Sequence, residues 1–60
     1  MLPANPDILY SVINTKLRDR YPSLEALCDD LDEDMAELTE KLAAAGYDYS
    51  PERNRFQSRP

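Results

Sequence analysis

The chain has no histidine, no tryptophan and a single cysteine, Cys28, among its 60 residues. Without histidine the commonest general base and metal ligand is missing, and a lone thiol can close no internal disulfide. No apolar run approaches the length of a membrane span. The first residues carry neither a basic region nor an apolar segment of the secretory kind, so a cytoplasmic location is expected. Positive charge is also scarce: seven Lys and Arg stand against twelve Asp and Glu, a net charge of −5. What remains describes a non-enzymatic chain that calls for no metal and no cofactor.

Sixty residues make one small domain. At this size folding removes only about 60% of the unfolded chain's surface from water, so the core is one layer deep and an enclosed substrate cavity is not expected. Hydrophobic residues make up 42% of the chain and recur regularly, which excludes intrinsic disorder. The expected organisation is one domain over residues 1–57 with a flexible tail over 58–60.

The opening Met1-Leu2-Pro3-Ala4-Asn5-Pro6 holds two prolines and reads as an extended lead-in, with Asn5 and Pro6 as N-cap and first residue of a helix. From Asp7 to about Tyr21, Leu9, Val12, Ile13, Leu17 and Tyr21 recur at helical spacing. Pro22 breaks that helix and Ser23 caps the next, where Leu24, Leu27, Cys28 and Leu31 fall at i, i+3, i+4 and i+7. A turn through Leu31-Asp32-Glu33-Asp34 leads to a third helix from Met35, with Asp34 as N-cap and Glu37 completing a capping box. Its apolar face is Met35, Leu38, Leu42 and Ala45, and Gly46 ends it in a left-handed conformation. Tyr47-Asp48-Tyr49 and Asn54-Arg55-Phe56-Gln57 alternate around Ser50-Pro51-Glu52-Arg53, which suits a type I turn and predicts a β-hairpin whose aromatics rest on the helices. The fold class is mainly α: a three-helix, helix-turn-helix-like bundle with a small C-terminal hairpin as a wing.

Charge along this frame is uneven. Residues 1–22 carry a net +1, 23–40 carry −8 and 41–60 carry +2. The middle segment holds Glu25, Asp29, Asp30, Asp32, Glu33, Asp34, Glu37 and Glu40 and no basic residue. A helix in that position would repel a phosphate backbone, because groove reading needs Lys, Arg and amides. The charge balance favours a basic protein partner, with Asp29, Asp30, Glu33, Glu37 and Glu40 as the candidate binding residues. Cationic residues cluster instead at Lys16, Arg18 and Arg20 and at Arg53, Arg55 and Arg59. Arg53 and Arg55 on the wing are the candidates for the alternative, a winged-helix nucleic-acid binder. An acidic mimic of nucleic acid shares the charge evidence of the protein-binding reading. Asp30, Asp32 and Asp34 match the first positions of a calcium loop, but Met35 and Lys41 stand where glycine and the closing glutamate belong, so helix capping is the simpler account. Cys28 sits on an apolar face followed by acids, the setting of an inert core thiol.

Helix one is broader in its apolar coverage than a surface helix needs. Ile8, Leu9, Tyr10, Val12, Ile13, Leu17 and Tyr21 spread over an arc of about 220° at ~100° per residue, about twice the usual buried stripe. Either the other helices and the hairpin aromatics cover both sides, or the part around Ile8 and Tyr10 is a homodimer or partner interface.

Three strings, Ile13-Asn14-Thr15-Lys16-Leu17-Arg18-Asp19, Ser23-Leu24-Glu25-Ala26-Leu27-Cys28-Asp29-Asp30-Leu31-Asp32, and Gly46-Tyr47-Asp48-Tyr49 through Asn54-Arg55-Phe56, resemble domain of unknown function family 4250. The resemblance spans about residues 2–56 and implies a short bacterial protein that is nearly all one domain. It implies no activity and no site residues. Glu33 departs from the helix-turn-helix pattern, whose turn usually places an apolar residue there.

Overall fold

The computed structural model describes residues 2–59. Three helices, α1 (Pro6–Asp19), α2 (Leu24–Leu31) and α3 (Met35–Ala44), precede an antiparallel hairpin of β1 (Tyr47–Ser50) and β2 (Arg55–Ser58). This is the mainly α class with a C-terminal hairpin that the patterning predicts.

Each helix starts on a side chain chosen for the purpose. The Asn5 carboxamide oxygen accepts from the Asp7 and Ile8 amides, Ser23 Oγ from Ala26, and an Asp34 carboxylate oxygen from Glu37. These bonds satisfy donors that the helical ladder leaves unpaired. The capping box at α3 is only half formed: no hydrogen bond from the Asp34 amide to the Glu37 carboxylate is present among the described residues.

Helix ends are equally local in cause. α1 stops at Asp19, two residues short of the expected Tyr21, as Arg20 leaves the helical region (φ −128°) ahead of Pro22. α2 closes with Asp32 in the left-handed region (φ 55°), and the Glu33 amide reaches back to the Cys28 carbonyl at 2.8 Å. That is a Schellman closure built on an aspartate where glycine is usual. It lets Glu33 point to solvent, so the turn does not need the apolar residue of a helix-turn-helix. After α3, Gly46 adopts φ 92°, as its position predicts.

Nine side chains form the core: Leu9, Ile13 and Leu17 from α1, Leu24, Leu27 and Cys28 from α2, Leu38 and Leu42 from α3, and Phe56 from β2. Met35 and Ala45 do not join it, contrary to the expected α3 face; Met35 is 46% exposed. Both have the right angular position, but Met35 is the first residue of α3 and Ala45 its C-cap, and the buried residues of the helix are Leu38 and Leu42 between them.

The hairpin registers Tyr47 with Ser58, Tyr49 with Phe56 and Ser50 with Arg55. The turn therefore lies one residue later than expected. Ser50 is in the strand, and Asn54, expected in the strand, is the last loop residue in a left-handed conformation (φ 52°). The expected tail from residue 58 also begins too early: Ser58 pairs with Tyr47, and the Arg59 amide donates to the Gly46 carbonyl at 2.9 Å. Pro60, the rest of that expected tail, lies outside the described residues.

Two carboxamides join the hairpin to α1. Asn14 donates to the Phe56 carbonyl and accepts from the Phe56 amide. Asn54 donates to the Leu17 and Tyr21 carbonyls, at the C-terminal end of α1, and accepts from the Tyr49 hydroxyl, which itself accepts from the Leu24 amide. Alongside, Tyr47 stacks on Tyr10 with ring centroids 4.0 Å apart and donates to Asp7 at 2.7 Å. The wide apolar arc of α1 is thus covered in large part within the chain, but Ile8 stays 55% exposed and Val12 is only partly buried.

Candidate functional site

The acidic residues of the segment 23–40 are carried by α2, by the turn after it and by α3 as far as Glu40, and all eight are exposed. The three-residue turn between α2 and α3 is itself wholly acidic, so the segment carries exposed carboxylates on both helices and between them. Its residues nevertheless have different local duties. Asp34 caps α3, Asp32 occupies the left-handed closure, and Asp30 accepts a hydrogen bond from the Tyr21 hydroxyl. That bond holds the Tyr21 phenol above its usual pKa, with burial as the lesser cause.

Asp29, Glu33, Glu37 and Glu40 carry no such duty. Among the described residues the only two ion pairs are Arg18 with Asp19 and Arg59 with Asp48, and neither touches the segment 23–40. Neither of these pairs involves an acid of the segment, although Lys41 borders the same groove as Glu33, Asp34 and Glu37.

The candidate residues do not converge on one cavity. Glu33, Asp34 and Glu37 border a groove of about 160 Å³ between the lead-in and α3, which Leu2, Leu38 and Lys41 also line. Asp29 lies with Glu25 in a different, open recess beside Ser23. Glu40 borders neither of these two hollows, and Asp30 is turned to Tyr21.

The cationic candidates divide in a similar way. Arg59 is bidentate to Asp48 at 2.7 and 2.8 Å, and Arg18 is paired with its neighbour Asp19. Arg53, in the hairpin loop, and Arg55, the first residue of β2, are exposed and form no ion pair among the described residues. Cys28 is buried, and its thiol is pushed above its ordinary pKa by that burial first and by Glu33 and Asp34 second. A thiol so placed is a poor nucleophile.

A model of the family described as a domain of unknown function (DUF4250) matches residues 3–56. The chain belongs to that family. The DUF4250 match covers all three helices and ends inside β2, so the family's unit includes the hairpin turn and Phe56. Among curated proteins and among solved structures, none is significantly similar to the chain. No described helix is long and apolar enough to cross a membrane.

Charge and apolar spacing do not reveal the polar roles of Asn14, Asn54 and Tyr49, because their polar atoms act on backbone groups distant in sequence. An asparagine directly after an apolar-face residue, as Asn14 follows Ile13, is the one available signal.

Proposed function

We propose that this DUF4250 domain is a non-enzymatic protein-interaction module that engages a basic protein partner through its α2–α3 surface. The observation that carries the reading is that eight carboxylates lie exposed over residues 23–40 and neither ion pair of the described residues reaches them. A surface of one sign steers an opposite one and repels nucleic acid. The partner is expected to associate rapidly at low salt and to be released by high salt.

Capture from a lysate with the tagged domain, with protein and nucleic acid both quantified, tests this. The control is a triple variant, Asp29→Lys, Glu33→Lys and Glu40→Lys, which spares Asp30 because its carboxylate holds Tyr21. Retention of one basic protein by the native chain and its loss with the variant supports the module. Identical retention by both sinks the acidic surface as the site.

A second reading rests on Arg53 and Arg55, exposed on the hairpin and in neither ion pair of the described residues. In it the hairpin meets a nucleic-acid backbone. A steeply salt-dependent shift of duplex DNA, abolished by Arg53→Ala with Arg55→Ala, would favour it over the first.

A further inference from the structure

We propose that the groove between the lead-in and α3 receives one long cationic side chain, arginine or lysine, projecting from an apolar-basic segment of the protein partner. The inference rests on the acidic-face reading and names the chemistry by which that face is read. The groove has two unlike kinds of lining. Leu2, Pro3, Leu9 and Leu38 supply hydrocarbon, and the acidic residues Glu33, Asp34 and Glu37 line the groove beside them. Arginine and lysine have the matching construction, with an apolar stem that prefers burial and a charged head that prefers the carboxylates. A bare metal ion or a wholly polar ligand would leave the apolar lining unused.

Charge complementarity survives the two opposing contributions. The N-terminus of α3 adds about half a positive charge, and Lys41 adds one more, against three carboxylates. Lys41 forms no ion pair with these carboxylates among the described residues, so it does not close the site. Asp34 uses an oxygen to cap α3, which leaves Glu33 and Glu37 as the carboxylates free to pair with an incoming head group. At about 160 Å³ the groove is of the scale of one side chain and too small for a helix.

The test uses the full chain, ¹⁵N-labelled, titrated with three short capped peptides: alternating leucine and arginine, alternating serine and arginine, and alternating leucine and serine. The leucine–arginine peptide is expected to move the amide signals of Leu2, Glu33, Glu37 and Leu38 and to bind on the order of tenfold more tightly than either other peptide. Glu37→Lys removes that advantage, Leu2→Ser reduces it, and Glu25→Lys, in the other recess, leaves it intact. A thermal melt of each variant establishes that it is folded. Equal binding of the two cationic peptides, with shifts spread along residues 25–40, overturns the groove while the acidic surface stands. Failure of every cationic peptide to bind overturns both.

Discussion

The side-chain amide of Asn14 and the peptide unit of Phe56 bond each other twice, at 2.9 Å from Asn14 Nδ2 to the carbonyl and 2.7 Å from the Phe56 amide to Asn14 Oδ1. A carboxamide has the donor and acceptor of a backbone peptide, so Asn14 serves β2 as a single residue of a third strand. It satisfies an edge that a two-stranded sheet would leave open, and it does so from the helix that carries Ile13 and Leu17 into the core. The hairpin, marginal by itself, is held where Phe56 can be fully buried.

Asn14→Ala leaves both Phe56 backbone groups without their partner and should cost about 2–4 kcal/mol. In a domain of this size total stability is about 3–9 kcal/mol, so the loss is readily visible in denaturant melts. Asn14→Asp keeps the acceptor but turns a carboxylate oxygen on the Phe56 carbonyl. The substituted carboxyl is then favoured in its protonated form in the folded state, so its penalty relative to the native chain should shrink as pH falls. A penalty that stays constant from neutral to acid pH contradicts the double bond.

Asn54 combines a left-handed backbone with three side-chain hydrogen bonds, and two variants separate these contributions. Asn54→Gly keeps the backbone and loses the bonds, at about 1–3 kcal/mol. Asn54→Ala loses both and should be worse by about 1 kcal/mol. If alanine proves the milder change in a thermal melt, the left-handed turn residue is not a constraint on the hairpin.

Much of the frame is legible in the sequence because its causes are local. Asn5-Pro6, Ser23 and Asp34 announce helix starts by chemistry confined to one turn, and Gly46 ends α3 in the same way. Legibility fails where the cause is tertiary. Met35 has the angular position of a core residue, yet only neighbouring elements decide whether the end of a helix is covered. Asn54 reads as a strand residue until its amide is seen to reach the Leu17 and Tyr21 carbonyls, which hold it in the turn. The candidate site shows the same division. The run of acids is plain in the sequence, but its separation into a groove at Glu33 and Glu37, a recess at Asp29 and a tyrosine contact at Asp30 depends on where the lead-in and α1 lie.

Leu27 is fully buried at the centre of the helical core. Leu27→Ala should cost about 2–5 kcal/mol and unfold a large fraction of the chain at ordinary temperature. A melt displaced by only a degree or two would remove Leu27 from the core.

The pairing with Arg59 holds the Asp48 carboxyl below its usual range, chiefly through their hydrogen bonds. A carboxyl whose folded pKa is lowered contributes stability above its unfolded pKa and loses that contribution as pH falls through the folded value. Asp48→Asn should therefore melt below the native chain at neutral pH, with the gap closing below about pH 4. Both groups are solvent-exposed, so the gap is small and narrows further in high salt. A gap that widens on acidification contradicts the pairing.

Burial is the larger cause of the raised Cys28 pKa, ahead of Glu33 and Asp34. Alkylation at mildly alkaline pH should be slow in the folded chain and rapid once it is unfolded, and Glu33→Gln should quicken the folded-state reaction only slightly. Rapid alkylation without unfolding would place Cys28 outside the core.

Amide hydrogen exchange of the full chain, with and without the basic protein retained in the capture, tests the central claim most directly. The acidic-face account predicts new protection over residues 25–40, strongest at Glu33 and Glu37, and unchanged exchange at Arg53 and Arg55. Protection confined to the hairpin loop and the start of β2, with residues 25–40 unaffected, would contradict it and move the binding surface to the hairpin arginines.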